Sequence, residues 1–265
     1  MKKLLLLVIL FGIFSSCEDV IDVELNDAPP RLVVEANLNI WEDGSTSSAV
    51  RLTTTAPFFD NNVPYVTDAN ITVTDENGLI YTFNYTQDGV YVSLMALQIN
   101  VDYTLNIEYK DETYTATETL YTVSQLEYVE QRDDGGFSGE DIELKVFFTD
   151  PADDKNFYFF EGLSERGDEL DVYNDEFFNG NTIFGYYLVE DLAPGDEVQF
   201  NIYGVSEAYY NFMYILLQQT GGGGGPFETQ PATVRGNIIN ETTPANYPLG
   251  YFRVSEVSTL NYTVQ

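Results

Sequence analysis

The stretch DYTLNIEY (102–109), KDE (110–112), TYTATETL (113–120) decides the fold. Tyr103, Leu105 and Ile107 alternate with Asp102, Thr104, Asn106 and Glu108, and Tyr114 and Ala116 alternate with threonines. Successive side chains of a strand point to opposite faces, so a period of two writes a half-buried β-strand, whereas a helix repeats every three to four residues. Two such runs around a short polar insert make a β-hairpin. The pattern extends outward on both sides. NITVTD (70–75) and LIYTFNY (79–85) flank Glu76-Asn77-Gly78, whose Asn-Gly is a favoured tight turn, and Asp88-Gly89 leads into 90–94. RLVVEANLN (31–39) and AVRLTT (49–54) open the region. Seven short runs with frequent turn signals predict an immunoglobulin-like sandwich over residues 31–122. The cysteines and tryptophan spacing of antibody domains are missing, so the expectation is architectural only.

Residues 123–265 read as a second β-rich domain with one amphipathic helix, so the fold class is all-β. Arg132 to Gly139 is polar and glycine-rich and reads as a loop. Strands follow at 142–149, 156–163, 182–189 and 197–205, with Pro194-Gly195-Asp196 as a turn, and shorter ones at 233–239, 249–254 and 257–264. One segment breaks the period: Tyr210, Met213, Tyr214 and Leu217 share a helical face, which places a helix at about 206–220 that packs onto the sheet. Ser206 is its expected N-cap, Glu207 suits its first turn, and Gly221 can end it.

The five-glycine run Gly221, Gly222, Gly223, Gly224, Gly225 then leads into Pro226 and Phe227. A phosphate-binding loop needs Gly-Lys-Ser/Thr after spaced glycines, and none is present. The run reads as the freest backbone in the chain, and Gly221 to Phe227 is the expected contact with a partner.

Residues 1–16 have the form of a signal peptide: Lys2 and Lys3, an apolar stretch from Leu4 to Phe14, then Ser15-Ser16. Cys17, the only cysteine, follows directly and makes the site look like a bacterial lipobox, whose thiol is acylated and becomes the first mature residue. The stretch is shorter than the roughly 20 apolar residues that span a bilayer, so attachment to the membrane is expected through the lipid on Cys17. Residues 17–30, acidic and then Pro-containing, read as a tether.

Cleavage before Cys17 removes two lysines and no acid, which moves the formal net charge from −32 to −34. Such a surface repels nucleic acid and anionic headgroups, so no nucleic-acid partner is expected. The 44% apolar content is ample for a core and argues against disorder. The chain has no histidine, which removes Ser-His-Asp and Cys-His catalysis and His-ligated zinc or haem, and no disulfide can form within it. Carboxylate chemistry, lysine chemistry and oxygen-ligated cations remain. Asp150, Asp153, Asp154 and Asn156, and separately Asp133 and Asp134, are the acidic clusters worth weighing for calcium. Neither has the spacing of an EF-hand loop, so both read as solvated acidic turns, and no cofactor, metal or enzymatic activity is expected. Tyr158-Phe159-Phe160, Phe177-Phe178 and Tyr186-Tyr187 are the aromatic clusters; alternation sends one of each adjacent pair to the core and leaves others for an exposed patch.

Four pieces carry a family resemblance. They are Cys17-Glu18-Asp19, the strand Leu32-Val33-Val34-Glu35-Ala36, the run Thr149-Asp150-Pro151-Ala152-Asp153-Asp154-Lys155-Asn156-Phe157-Tyr158, and Gly236-Asn237-Ile238 followed by Leu249-Gly250-Tyr251-Phe252. Together they resemble the Bacteroidota outer-membrane lipoproteins of the DUF4249 type, with Asp153 standing where that family usually has glycine. The resemblance implies an all-β fold, a lipid anchor in the outer membrane facing the exterior, and an encoded neighbour that is often a TonB-dependent transporter. It carries over no catalytic or ligand-binding residue. It implies a non-catalytic accessory of such a transporter in nutrient capture or gating; the alternative is a structural or adhesive surface lipoprotein working without one.

Overall fold

A computed structural model describes residues 29–57, 60, 62–136, 139–152, 155–220 and 233–265, with the side chain of Thr220 excepted. Fifteen strands and one long helix fill them: β1 (Leu32–Trp41), β2 (Thr46–Thr54), β3 (Asn70–Asp75), β4 (Ile80–Gln87), β5 (Val90–Val92), β6 (Asp102–Tyr109), β7 (Glu112–Thr119), β8 (Leu126–Gly135), β9 (Asp141–Thr149), β10 (Phe157–Ser164), β11 (Gly167–Asn174), β12 (Thr182–Tyr187), β13 (Glu197–Gly204), α1 (Glu207–Thr220), β14 (Ile239–Asn240) and β15 (Leu249–Thr263). The fold is all-β. Twelve strands form one sheet in the order β11-β10-β13-β15-β1-β2-β5-β4-β3-β6-β7-β14, and β12-β9-β8 form a second, three-stranded sheet.

The sheet folds back on itself through β4, which pairs with both β5 and β3. The halves on either side enclose one core: Leu32, Val34, Ala36 and Leu38 from β1 meet Ile71, Val73, Leu105, Ile107 and Tyr114 across it. The alternation of β6 and β7 reads out directly, since Tyr103, Leu105 and Ile107 are buried and the residues between them are not. The turns differ in detail from the expected ones. Lys110 and Asp111 alone join β6 to β7, both with positive φ (49° and 60°), because Tyr109 pairs with Glu112. At β3–β4 only Gly78 takes positive φ (83°), and the Asp75 side chain caps the loop by accepting from the amides of Asn77 and Leu79.

The remaining strands build a second sandwich. The small sheet lies over β10, β13 and the end of β15, with Leu144, Val146, Phe148, Tyr158, Phe160, Tyr187, Phe200 and Ile202 between the layers. On the opposite face of the large sheet, α1 covers Phe159, Tyr203 and Tyr251 with Tyr209 and Met213. β10 is therefore buried on both faces, and Tyr158, Phe159 and Phe160 are all internal, against the expectation that alternation exposes some of them. Ser206 caps α1 as expected, its Oγ accepting from the Tyr209 amide at 3.2 Å. Of the expected set, Tyr210, Met213 and Leu217 pack against the sheet. Tyr209 and Met213 are buried with Phe212 and Leu216 beside them, while Tyr214 is 48% exposed. The sequence holds two overlapping sets at helical spacing, 209/212/213/216 and 210/213/214/217, and a pattern that is apolar nearly all round does not choose between them.

Two strands occupy stretches without a clear alternation. β8 runs through the expected loop at 132–135, and β11 is the acidic GDELDVYN. Both lie at sheet edges, where one flank faces water and charged residues guard against pairing with another chain. The strands expected at 249–254 and 257–264 are one strand of 15 residues, β15. Its first half runs parallel to β1, from Val33↔Leu249 to Trp41↔Val257, and its second runs antiparallel to β13, from Tyr203↔Val257 to Glu197↔Thr263. The segment 239–257, placed by sequence in the second domain, is thus paired with β7 and β1 of the first sandwich. The connection from one sandwich to the other is pinned along the same strand. The Glu256 amide donates to Tyr121 O, the Val123 amide to the Glu256 carboxylate, and the Leu126 amide to Ser258 Oγ.

Gly236 and Gly250 make this docking possible. A Cβ on Gly236 would stand 1.7 Å from Gly250 O, and one on Gly250 would stand 2.0 Å from Val34 O at a φ of +91°. Gly250→Ala is expected to lower stability by at least ~3 kcal/mol, combining left-handed strain with a backbone clash. Gly44→Ala, at φ +80° with nothing within 4 Å, should cost only ~1 kcal/mol. Urea unfolding midpoints compare the two, and equal losses would refute the close-approach account.

Candidate functional site

Along β1 the residues Leu32, Val34, Ala36 and Leu38 face the core, so Val33, Glu35 and Asn37 face outward. Parallel pairing sets Leu249, Tyr251 and Arg253 beside them in register. Helix α1 lies over part of this outer face and leaves a groove of about 650 Å³ along its flank. Tyr209, Phe212, Met213 and Leu216 form the helix wall, Val33, Glu35, Asn37, Leu249 and Tyr251 the floor, and Thr233 and Val234 the far wall. That volume falls within the roughly 300–1,000 Å³ typical of small-molecule sites, and a mostly apolar lining with a few polar groups is their usual chemistry.

Tyr251 anchors the floor. Its ring meets Tyr209 edge-on with centroids 5.0 Å apart and Phe212 at the same distance. Its hydroxyl donates to the Glu118 carboxylate at 3.2 Å, which also accepts from Ser206 Oγ (3.1 Å) and Asn237 Nδ2 (3.4 Å). One carboxylate on β7 thereby fixes the helix start, the groove floor and the segment leading to the far wall. Burial pushes the Glu118 carboxyl above its ordinary value, against the downward pull of these donors.

Arg253 lies under the helix beside the groove and is 6% exposed. Its guanidinium stacks over Tyr203 at 4.0 Å, with Tyr209 at 5.6 Å and Phe159 at 5.8 Å. Nε donates to Asn37 Oδ1 at 3.2 Å, which fixes that amide at the floor and leaves its nitrogen as a donor there. Among the described residues Arg253 is in none of the ion pairs; Glu161 answers its charge at one remove, accepting from the Tyr203 hydroxyl at 2.7 Å. The far wall is clamped from outside: Arg31 and Arg235 stack on the Tyr247 ring at 3.9 and 3.7 Å.

Cys17 and the expected contact Gly221, Gly222, Gly223, Gly224, Gly225, Pro226 and Phe227 lie outside the described residues. Gln219 and Thr233, which flank that glycine segment in the chain, both line the groove. Asp150 is not a solvated turn residue. It is 2% exposed and accepts from the Tyr158 hydroxyl at 2.5 Å and the Gly180 amide at 3.0 Å, so the Asp-Pro-Ala run is a structural clasp. Asp133 and Asp134 accept from Gln131 and Arg132 on the same exposed strand. Of the paired aromatics, Tyr187 and Phe178 join the inner core, while Tyr186 and Phe177 are 37% and 90% exposed. An exposed aromatic row does exist, but it is Tyr128, Phe147 and Phe184, directly opposite one another across β8, β9 and β12.

The groove was not readable as a set of residues, because its three walls come from distant parts of the chain. Two traces were present: the surplus of apolar residues on α1, and the mixed outward face of β1.

A family model described as a domain of unknown function, DUF4249, matches residues 18–261. The chain belongs to this family. No curated protein matches it. Among solved structures, a two-domain fibronectin type III segment from chicken tenascin is similar at 16% identity over 66% of this chain and 90% of that one, with a TM-score of 0.22. The fold of this DUF4249 chain therefore rests on its own strand pairing.

A carboxyl raised by burial favours its protonated form when folded, so the folded state binds more protons than the unfolded chain between the ordinary glutamate value near 4.5 and the raised one. Stability from this group is greatest below that window and declines as pH rises through it. Glu118→Gln removes the charge at nearly the same size but leaves one oxygen, not two, to accept from Ser206, Asn237, Tyr251 and the Thr119 amide. Its melting temperature relative to wild type should therefore be higher at pH 8 than at pH 4. A difference from wild type that is the same at both pH values would disprove the burial account.

Proposed function

We propose that this DUF4249 protein is a lipid-anchored, non-catalytic binding protein of the bacterial outer membrane. It faces the exterior and serves as an accessory of a TonB-dependent transporter in nutrient capture. The observation that carries the reading is the groove, a concave apolar site between a helix and an outer sheet face on an otherwise strongly acidic surface. A groove built on strands and a capped helix offers a pre-shaped surface, which lowers the entropy lost on binding.

The acids support a holding role. Asp150 clasps Tyr158, Asp175 accepts from the Asn156 amide, Glu143 pairs with Lys145 at 2.7 Å, and Glu118 gathers donors from three segments. Each is tied to a structural partner and none of them lines the groove. The anchor follows from Cys17 after an apolar stretch, and the Pro29-Pro30 tether enters β1 one turn of chain before Val33 at the groove. The last two tether residues therefore lie three positions or fewer in the chain from the strand that floors the groove, which supports a site held close to the anchor.

Cys17→Ala should remove acylation and release the protein from the membrane fraction. The wild-type lipoprotein should co-purify with an outer-membrane transporter from a mild detergent extract. Membrane sedimentation of the Cys17→Ala chain equal to wild type would reject the anchor, and an extract in which no transporter accompanies the protein would reject the accessory role.

A further inference from the structure

We infer that the groove between α1 and the β1–β15 floor takes a monocarboxylate with an apolar body, its charged end held by Arg31 and Arg235. This deepens the binding role proposed above and rests on it. The distribution of cations carries the argument. Arg132, Lys145, Lys155 and Arg166 are in ion pairs. Arg31, Arg51, Lys110, Arg235 and Arg253 are in none among the described residues, and all of these but Lys110 border the groove. Acids outnumber bases by 43 to 11 in this chain, yet no carboxylate stands within ion-pair reach of these four guanidiniums among the described residues. Their charge is left for an anion that comes from outside the fold.

Arg31 and Arg235 mark one end of the groove. Arg31 precedes the lining residue Val33 by two positions, on the same face, and Arg235 directly follows the lining residue Val234. Both guanidiniums lie over the Tyr247 ring, at 3.9 and 3.7 Å, and Arg31 spends one nitrogen on Tyr247 O at 3.1 Å. Two like charges on one ring repel each other, and an anion between them relieves that repulsion. A carboxylate matches the fork of a guanidinium with two oxygens. The acids nearby are already answered. Glu35, the one acid in the lining, has Arg51 directly opposite on β2. Glu118 and Glu161 lie behind the lining and accept from Tyr251 and Tyr203, with the Arg253 guanidinium stacked on Tyr203. Glu112 accepts from Tyr114 and from Asn246, the neighbour of Tyr247. The formal net charge of −32 sets the ligand's own charge. Each further negative charge costs again in that field, which favours a carboxylate over a phosphate monoester of about −1.5 to −2. Beyond the charged end, Val33, Leu249, Met213 and Leu216 offer the apolar surface for the body of the ligand.

Two probes with the same fluorescent apolar body test this: dansylaminoundecanoic acid, which carries one negative charge, and its methyl ester, which carries none. The protein is the mature chain 17–265 with Cys17→Ser, free of detergent and lipid. The acid should bind saturably at one site with a fluorescence rise. The ester should bind at least about fivefold more weakly, as loss of a partly exposed, charge-assisted contact predicts. Arg235→Gln should weaken the acid at least about fivefold and leave the ester within about twofold, since it removes charge and not apolar surface. Arg31→Gln serves as the independent second variant, with the same split between the probes. Val234→Asn should weaken both probes while circular dichroism and melting temperature stay near wild type; Val234 lies outside any strand.

Absent saturable binding of the acid, an ester that binds as tightly, or acid binding untouched by both arginine variants would each overturn the inference. So would acid binding seen only after deletion of 18–28 or of 221–232, since the chain's own segment would then be the occupant. Sedimentation of the same protein with phosphatidylglycerol vesicles, abolished by Arg235→Gln, would assign the arginines to a membrane surface and overturn it as well. A protein that co-purifies with a transporter yet takes no acid loses this inference and keeps its accessory role; the reverse result keeps the site and loses the role.

Discussion

The parallel pairing of β15 with β1 is the contact on which the rest of the molecule depends. Parallel strands cannot be joined by a tight hairpin and need a long crossover. Here the crossover between β1 and β15 contains every other strand and the helix. The pair brings the two ends of the folded chain together, and β15 then passes into the second sandwich to pair with β13. Its residues alternate between duties: Phe252 and Val254 enter the first core, while Tyr251 and Val257 join the cluster under the helix. The side chain of Asn237 reads the same strand from its edge, donating to Phe252 O and accepting from the Phe252 amide, both at 2.9 Å. Gly236 and Gly250 occur where two backbones approach too closely for any side chain, so the Gly-Asn-Ile and Leu-Gly-Tyr-Phe runs are pieces of one joint.

The joint explains where the buried polar groups lie. A guanidinium without a direct carboxylate is costly to bury unless other groups answer it. Arg253 is answered by the faces of three aromatic rings, the Asn37 carbonyl oxygen and the Ser255 hydroxyl. Cation–π contacts are stronger when desolvated, so a site walled by Phe159, Tyr203 and Tyr209 is among the few places in an apolar layer where such a charge is tolerable. Glu118 is the counterpart on the other side of Tyr251. Between them, the two groups hold α1 at a fixed offset from β1, and the groove is the space which that offset leaves open.

Legibility in the sequence follows the same physics. The first sandwich was readable because its strands each have one wet face: Tyr103, Leu105 and Ile107 alternate cleanly with polar neighbours. The helix was readable from its period and from Ser206. β10 was readable as a strand at 156–163, but not the burial of Tyr158, Phe159 and Phe160 on both of its faces, and β8 and β11 were hard to see because edge strands carry charge where interior strands carry apolar residues. Residues 249–264 read as two strands because Ser255 and Glu256 interrupt the apolar pattern, yet both have partners in the pairing of the linker. Asp150 looked like a solvated turn residue for want of any local sign that Tyr158 and Gly180 would close over it. The groove could not be seen at all, since no local pattern reports how far a helix stands from a strand some 170 residues earlier in the chain.

Charge and apolarity are divided over this surface in a way that bears on recognition. An excess of acids keeps the protein soluble and discourages indiscriminate contact, and the acidic edge strand β11 extends that protection to exposed backbone. Against that background, the groove and the adjoining flank of α1, where Tyr214 and Ile215 are 48% and 46% exposed, stand out as apolar ground. The row of Tyr128, Phe147 and Phe184 differs in kind: Tyr128 and Phe147 stack nearly parallel at 4.7 Å, each covering a face of the other, as cross-strand pairs do to stabilise a sheet. Rings that stack on one another have less face to offer a ligand. The rings around the groove instead meet edge to face or tilted, Tyr209 at 86° and Phe212 at 46° to Tyr251, and so leave apolar surface turned toward the cavity. Packing geometry, rather than the number of aromatics, therefore separates the surface that holds the sheet together from the surface left to hold something else.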